Sequence, residues 1–344
     1  MEHKRFLNNT ILIIALFILL IFCMIFSLGL GQYPIAPAEI VKIILTTPLG
    51  DIHNPDDIPW VVIMIVRLPR ILLVTLAGMG LAMAGAAMQG VFRNPLVGPE
   101  VVGVSAGASF GGVLAIMLGF SSLSGVVILA FVFGAGALVT AFFISRMAGK
   151  SGILGLILSG VIIGSFFGAL TGITTYLADP ETKLPGIVYW LMGSFAAATY
   201  PKVALMAGTT LVAGTILLGL SWRINLLSLG ETDAQALGLN VNILRWATVA
   251  CVALIVAAQV AVSGGVGWVG LVIPHLARMV VGPEHSRLLP VSALFGGIYL
   301  LMMDNIARAL TMQEIPIGLL TAIFGTPVFL VLFIKMQNKG WRND

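Results

Sequence analysis

Long apolar runs separated by short polar segments dominate the chain. Residues 11–30, for example, contain no charged side chain over a length sufficient to cross the hydrocarbon core of a bilayer as a helix. Apolar and polar residues do not alternate within these runs, which argues against the strands of a membrane barrel. We therefore predict an all-α polytopic membrane protein, a bundle of about ten transmembrane helices with short extra-membrane helices. The predicted spans lie near residues 10–30, 69–91, 98–118, 122–145, 153–178, 201–221, 244–263, 268–282, 289–309 and 316–336.

Three connections between the spans are long enough to hold structure of their own. Residues 31–66 are rich in proline, residues 179–200 are amphipathic, and residues 222–243 are polar with the pattern of short helices. No linker divides the chain, so we predict a single transmembrane domain that covers residues 1–344.

The composition supports a lipid environment. Hydrophobic residues make up 59% of the chain and charged residues only 9%, whereas soluble domains carry roughly 25% charged residues. In lipid every backbone polar group needs a partner within the protein, which a helix provides within its own segment. Lys4 and Arg5 precede the first apolar run, as in a signal peptide, but the run is too long and no A-x-A cleavage site follows it. We interpret it as the first span.

The distribution of lysine and arginine predicts the orientation. With the N-terminus inside and ten spans, twelve of the 18 lysine and arginine residues fall on the inner side and six on the outer side. Because cytoplasmic loops carry the excess of these residues, we predict that both termini are cytoplasmic. Three of the exceptions are arginines at the outer ends of helices, namely Arg67, Arg70 and Arg308.

Three matches to catalytic or nucleotide-binding motifs occur in the wrong context. Residues 103–107 match the G-x-S-x-G nucleophile elbow but fall in an apolar helical run. Residues 265–270 match a dinucleotide-binding fingerprint but join two membrane spans. Residues 149–151 end like a phosphate-binding loop, but Ile144 stands where its first glycine belongs. We therefore predict no catalytic residue and no ATP site in this chain.

The ionisable groups offer neither a metal site nor a proton relay. Both cysteines lie within apolar runs, and the histidines do not form the H-E-x-x-H pattern of an intramembrane metalloprotease. His275 and Arg278 stand one turn apart, which we interpret as capping at the membrane interface. Asp304 and Arg308 have the i, i+4 spacing of an intrahelical ion pair. An ion-coupled secondary transporter would need a carboxylate relay in mid-membrane and inverted repeats, and it remains the alternative function.

A series of short motifs runs through the chain in a fixed order. They are Arg67-Leu-Pro-Arg70, Arg93-Asn94-Pro95-Leu96, Gly103-Val-Ser105-Ala-Gly107, Trp190-Leu-Met-Gly193-Ser194, Pro274-His275-Leu-Ala-Arg278, Asp304-Asn-Ile-Ala-Arg308, Glu314-Ile-Pro316 and Gly325-Thr-Pro327. Each motif alone is weak, but together they resemble the FecCD family of permeases, which serves ferric siderophores, haem and vitamin B12. The resemblance covers nearly the whole chain beyond the first span.

The resemblance implies the permease subunit of a binding-protein-dependent ABC importer in the inner (plasma) membrane. It implies a homodimer with a second permease copy, two cytoplasmic ATPase subunits and an extracytoplasmic substrate-binding protein. Membrane lipid would surround the helices, and neither nucleic acid nor a cofactor is an expected partner. The implied mechanism is alternating access driven by the ATPases. We expect a ferric siderophore as the first choice of cargo, while haem, cobalamin and molybdate remain open.

Two functional surfaces follow from the resemblance near the ends of the second span. In the related vitamin B12 importer, arginines at the outer mouth meet glutamates of the binding protein. The matching positions here are Arg67, Arg70 and Arg308, for which binding to lipid headgroups is the alternative. The cytoplasmic gate would lie at Asn94 and Leu96, in a turn that could equally cap two helices.

The third surface is a coupling loop, residues 222–243, which by resemblance fits a groove on the ATPase. Glu231 and Asp233 suit the first turn of a helix, and Gly238 suits its end. A plain solvated loop is the alternative. The residues implied in ATPase coupling are Leu229, Gly230, Glu231, Asp233, Ala234, Leu237 and Gly238.

Overall fold

Helices follow one another along the whole of the described chain. The computed structural model of the protein describes residues 2–46, 57–120, 123–147, 153–311 and 313–340. Lys150 and Arg342, which entered the count for the orientation, lie outside these ranges. Within the ranges the secondary structure is helical and contains no strand, so the all-α class is confirmed. The α-helices are α1 (Glu2–Gly29), α2 (Pro37–Thr46), α3 (Ile58–Trp60), α4 (Leu68–Phe92), α5 (Val104–Met117), α6 (Leu123–Met147), α7 (Ile153–Tyr176), α8 (Leu184–Met192), α9 (Tyr200–Ser228), α10 (Glu231–Ala236), α11 (Val241–Ser263), α12 (Val269–Val281), α13 (His285–Ala309) and α14 (Ile317–Gly340).

The helices differ in whether they are long enough to cross a bilayer. In the described residues seven are sufficiently long and apolar, and three further apolar helices are shorter, namely Val104–Met117, Val269–Val281 and Ile317–Leu332. All ten lie in the apolar runs of the sequence. The polytopic membrane fold is therefore confirmed, whereas ten crossings stay a prediction. The seven longer segments are Thr10–Gly29, Ile58–Phe92, Gly125–Met147, Ile153–Tyr176, Tyr200–Ser228, Val241–Ser263 and His285–Ala309.

The second membrane helix begins at Ile58, nine residues before Arg67 and earlier than predicted. A π-helical segment, Val61–Arg67, joins α3 to α4, so one continuous helix extends over Ile58–Phe92. Pro69 lies in the first turn of α4 and cannot donate a backbone hydrogen bond to the preceding turn. Wider π-helical turns commonly form where the regular hydrogen-bond ladder is interrupted in this way.

Helix α9 continues further than the predicted end of its span at residue 221. Trp222 and Arg223 are exposed, but Ile224 and Leu227 remain fully or almost fully buried and keep one face of the helix packed. The connection between α9 and α11 is therefore residues 229–240, shorter than the predicted 222–243, and α10 occupies half of it.

Helix α4 forms the centre of the bundle and contacts α9, α11, α12 and α13. Small residues allow the closest approaches. A Cβ added to Gly78 would lie 2.2 Å from the carbonyl oxygen of Gly296 on α13, and one added to Gly85 would lie 1.8 Å from that of Gly270 on α12. These backbones touch, and a larger side chain would force the helices apart.

Large apolar side chains remain exposed on the outside of the bundle. Phe22 on α1, Phe166 on α7 and Ile323 on α14 are 57–62% exposed. Contiguous apolar surface of this kind is unfavourable in water and favourable against lipid or another membrane helix.

Candidate functional site

Arg70 is buried near the start of α4, where it binds two carboxylates from distant parts of the chain. Its Nε donates to both carboxylate oxygens of Asp304, at 3.0 and 3.1 Å, and its Nη2 donates to Oδ1 at 2.8 Å. Its Nη1 donates to Oε1 of Glu314 at 2.7 Å. Asp304 is 1% exposed, whereas the side chain of Glu314 is 30% exposed. The guanidinium group therefore contacts a buried acid on one side and an acid that borders the surface on the other.

Arg308, in the last turn of α13, connects that helix to the end of α1. Its Nη2 donates to the carbonyl oxygen of Ser27 at 2.5 Å, to the Ser27 hydroxyl at 2.6 Å and to Oδ1 of Asn305 at 2.6 Å. Its Nε lies 3.8 Å from Oδ2 of Asp304, so the predicted intrahelical pair forms. Arg70 is nevertheless the nearer partner of that aspartate, at 2.8 Å.

Arg67 binds backbone carbonyl groups at the same end of the bundle. Its Nη1 donates to Leu28 at 2.7 Å and its Nη2 to Tyr33 at 2.6 Å, at the end of α1 and just beyond it. The last carbonyls of a helix lack intrahelical partners, and a basic side chain satisfies them. The backbone at Gly31 passes so close that a Cβ there would lie 2.7 Å from Nη2, and its φ of +144° also favours glycine.

The three arginines predicted to dock a binding protein thus lie together, at what we call the arginine end. Arg67, Arg70 and Arg308 are 4%, 5% and 6% exposed, and each is hydrogen-bonded within the chain. Docking by these side chains stays a prediction. Sequence reasoning assigned no role in this cluster to Glu314 or Ser27, because the Arg70–Glu314 pair joins positions 244 residues apart. The only signal was that Glu314 lies in one of the quoted motifs.

Helix α10 lies at the opposite end of the bundle and begins and ends where the sequence predicted. Glu231 and Asp233 occupy its first turn. Gly238 follows the helix with a φ of +81°, and its N–H donates to the carbonyl of Gln235 while the next N–H donates to that of Ala234. This pair of bonds is a helix C-terminal cap that favours glycine in the left-handed conformation.

The surface around α10 combines polar groups with exposed leucines. Leu229 and Leu237 flank the helix and are each 63% exposed, while Ala234 is fully buried against the bundle. Gly230 enters the helix with a φ of +137°, in a conformation that a residue with a Cβ rarely adopts. Exposed leucines on a short helix outside the apolar spans suit contact with a protein partner, and the coupling role stays a prediction.

A buried ion pair connects α10 to the bundle. The side chain of Arg245 on α11 is 1% exposed, and its Nη2 lies 2.5 Å from Oε1 of Glu231. The side chain of Glu231 is 38% exposed. One end of the pair is thus fixed in the core and the other is at the surface of α10. Sequence reasoning had counted Arg245 only towards the orientation.

The predicted gate residues form a turn between α4 and the 3-10 helix Pro99–Val102. Arg93 ends α4 with a φ of +48°, and the N–H of Leu96 donates to Oδ1 of Asn94 at 2.9 Å. Asn94 and Leu96 are both exposed. This geometry is a turn capped by asparagine, and a gating role for it stays a prediction.

Known proteins resemble this chain over nearly its whole length. The model of the FecCD transport family matches residues 19–335. The molybdate import system permease protein MolB of Haemophilus influenzae is 45% identical over 329 residues, which cover 96% of this chain and 97% of that protein. A permease of Helicobacter pylori named for iron chelatin transport is 40% identical over 278 residues, or 80% of this chain and 83% of its own. A solved structure assigned to the metal-chelate type of ABC transporter, in an inward-facing conformation, is 44% identical with a TM-score of 0.84 and covers 94% of this chain and 99% of its own.

Proposed function

The chain belongs to the FecCD transport family, and we propose on that premise that it imports a metal oxyanion or a metal chelate, with molybdate as the first candidate. It is the membrane-spanning permease subunit of an ABC importer. It is not an enzyme, because the ATPase in this family is a separate subunit. The alternative of an ion-coupled secondary transporter is not favoured by any of these similarities.

The extent of the similarity favours molybdate over a ferric siderophore. The permease named for molybdate is 45% identical along nearly the full length of both chains, and the one named for iron chelatin is 40% identical along about four fifths of each. A ferric siderophore, the first expectation from the sequence, is therefore our second candidate. Because the binding protein selects the cargo in such importers, the two candidates need a test in the intact system.

Uptake by cells separates the two cargoes. Cells that lack this chain, with and without a plasmid that restores it, would be given [⁹⁹Mo]molybdate or ⁵⁵Fe bound to a hydroxamate siderophore at nanomolar concentration. We expect molybdate uptake to fall at least tenfold in the deletion and to return with the plasmid, while iron uptake stays unchanged. Loss of iron uptake alone would reverse the order of the candidates, and loss of neither would reject both.

We propose that the α10 surface binds the ATPase subunits and couples hydrolysis to transport. The support is the exposure of Leu229 and Leu237 beside a helix that a buried ion pair, Arg245 to Glu231, ties to α11. A push on α10 would reach the bundle through this pair. The turn at Asn94 and Leu96 lies at the same end of the bundle, where a cytoplasmic gate belongs.

We propose that the arginine end faces outwards and receives the substrate-binding protein. Three arginines stand there against two acids, Asp304 and Glu314, so the cluster has an excess of positive charge. Guanidinium groups bind carboxylates through two parallel hydrogen bonds, which suits acidic side chains on a partner. For such a carboxylate to reach Arg70, the partly exposed Glu314 has to move aside.

We further infer a homodimer that places α7 against a second copy. Gly164, Gly168 and Gly172 recur one turn apart on α7, and no atom of the described chain lies within 4 Å of the Cβ positions they lack. Small residues at this spacing let another membrane helix approach closely. Ten crossings with both termini in the cytoplasm complete the proposed arrangement, and its support is the excess of lysine and arginine on one side.

A further inference from the structure

A cavity lies at the end of the bundle opposite the arginine end, and the turn with the proposed gate residue Asn94 forms part of its wall. It has a volume of about 660 Å³ and lies between α4, α9, α12 and α13. Two of the sequence motifs meet in its wall, Arg93-Asn94-Pro95 and the His275 to Arg278 segment. The polar side chains on which the argument depends are Gln89, Arg93, Asn225, His275, Arg278 and His285.

Two arginines, Arg93 and Arg278, give the wall of the cavity a positive charge. Among the described residues neither Arg93 nor Arg278 takes part in an ion pair. Arg278 donates from Nη2 to the neutral amide oxygen of Gln89, at 3.1 Å. The one acid in the wall, Glu284, is paired at 3.0 Å with Arg287. Two guanidinium groups in such a wall attract an anion strongly.

His285 offers a further polar group that is still without a partner. It is 5% exposed, and both its backbone N–H and its Nδ1 lie 2.8 Å from Oδ1 of Asn225. Its other ring nitrogen, Nε2, is buried and has no hydrogen-bond partner in the described part of the chain. Buried polar atoms are normally satisfied. Because Oδ1 of Asn225 can only accept, Nδ1 carries the proton in the neutral ring, and Nε2 can accept a hydrogen bond from a hydroxyl of the bound group.

The surroundings of the cavity are those of a membrane interface. Trp222, in its wall, is 64% exposed, and tryptophan is enriched at the level of the lipid headgroups. Met279 and Val280, beside the motif on α12, are 61% and 55% exposed. Basic pockets between membrane helices at this depth suit the phosphate of an anionic lipid.

We propose that this cavity binds a tetrahedral oxyanion group, supplied either by the phosphate of an anionic lipid or by a free oxyanion. Arg93 and Arg278 supply the charge, and the amide groups and His285 complete the set of hydrogen-bonding side chains. The statement that this cavity faces the cytoplasmic leaflet rests on the orientation in the proposed function. The binding of the oxyanion group does not depend on that orientation. It can therefore be measured on the purified permease, independently of transport.

The test compares the purified wild-type permease with three variants in nanodiscs. Arg93→Gln and Arg278→Gln each remove one cation from the wall. Arg223→Gln removes an exposed arginine next to Trp222 that does not line the cavity, and it is the matched control. Because Arg278 also holds Gln89, the exposed Arg93 keeps the test open if Arg278→Gln does not fold. In the first arm the nanodiscs contain phosphatidylcholine with a small fraction of phosphatidylglycerol, and native mass spectrometry counts the phosphatidylglycerol molecules that stay bound to the permease. In the second arm the discs contain phosphatidylcholine alone, and equilibrium dialysis measures the binding of [³²P]phosphate and [⁹⁹Mo]molybdate.

The two arms distinguish the sources of the oxyanion. We expect the wild type to retain phosphatidylglycerol, and each wall variant to retain about fivefold less while the control is unchanged. Binding of the free ions with the same dependence on the variants, without lipid retention, would support the free oxyanion. The proposal is overturned if neither probe distinguishes the wall variants from the control.

Discussion

At the scale of single residues, Arg70 is the main electrostatic link of the arginine end. Its guanidinium group satisfies Asp304, which is almost completely buried. Removing both charges of a buried pair is often tolerated, but removing one leaves the other without compensation in a medium that cannot solvate it. The two single substitutions and the double substitution should therefore differ in a characteristic way.

We expect Arg70→Ala and Asp304→Ala each to destabilise the fold by up to about 3–5 kcal/mol, because each removes the nearest partner of a buried charge. What remains is Arg308, 3.8 Å from Asp304, or the partly exposed Glu314 beside Arg70. The double variant should lose clearly less than the sum of the two, since the residues interact directly. Thermal unfolding of the detergent-solubilised permease measures the effects. Arg223→Ala, which removes an exposed arginine, is the control and should change little. Additive losses in the double variant would contradict a direct pair.

Glu314 allows a test of docking that does not disturb the buried pair. It binds Arg70 at 2.7 Å but remains partly exposed, so it competes with any acidic group that approaches from outside. We expect Glu314→Gln to strengthen association of the binding protein about two- to fivefold, the range for a partly exposed ion pair. Surface plasmon resonance with the permease in nanodiscs measures this. Unchanged or weaker binding would mean that partner carboxylates do not reach Arg70.

At the scale of helices, the sequence predicted which residues lie on a contact face better than it predicted which helix they contact. The spacing of Gly78, Ala82 and Gly85 places them on one face of α4 and predicts a helix contact, and both glycines meet the backbone of another helix. Gly164, Gly168 and Gly172 also share one face of α7, but a Cβ added to any of them would meet no atom of the described chain within 4 Å. Spacing alone cannot separate the two cases, because contact within a chain and contact with a second copy select the same small residues.

Gly85 is the position where an added methyl group should do most harm. Its Cβ would lie 1.8 Å from the carbonyl oxygen of Gly270, so α4 and α12 would have to separate. We expect Gly85→Ala to destabilise the permease by about 1–3 kcal/mol, the usual cost of overpacking. Gly219→Ala is the matched control, because its Cβ would meet nothing within 4 Å. Fluorescence-detected thermal unfolding compares them, and equal melting temperatures would contradict the close contact.

Helix α10 was predicted from its capping residues, but its link to the bundle was not. The Arg245–Glu231 pair depends on how α11 packs, which a local pattern does not reveal. We expect Arg245→Ala to reduce ATP-driven uptake roughly two- to fivefold while the ATPase still binds and hydrolyses ATP. The link between α10 and α11 is lost, but the partly exposed Glu231 stays solvated, so the cost is that of a partly exposed pair. Proteoliposomes that contain the assembled importer allow both rates to be measured. Arg146→Ala, which removes an exposed arginine at the end of α6, is the control. Parallel loss of uptake and hydrolysis would indicate failed assembly instead.

At the scale of the whole molecule, hydropathy was sufficient to predict the helical bundle and insufficient to predict its crossings. The runs at α5 and α12 read as spans, yet these helices have only 14 and 13 residues. Gly103, which has a positive φ, immediately precedes α5, and that helix begins later than its predicted span. Gly282, which also has a positive φ, follows the last residue of α12. Such backbone breaks leave the average hydropathy of a run unchanged, so a sliding window cannot detect them.

The orientation connects the proposals for the two ends and can be measured directly. We expect a cysteine at Gln313, beside the arginine end, to react with a membrane-impermeant maleimide in intact cells. One at Asp233 on α10 should react only after the membrane is permeabilised, because both residues are exposed but on opposite sides. The chain without added cysteines corrects for labelling of its own cysteines, of which Cys251 is buried and Cys23 half-buried.

The reverse labelling pattern would place α10 out of reach of a cytoplasmic ATPase and the three arginines out of reach of an external binding protein. Both proposals would then fail together, while membership of the family and the oxyanion site, which is measured on the purified permease, would stand.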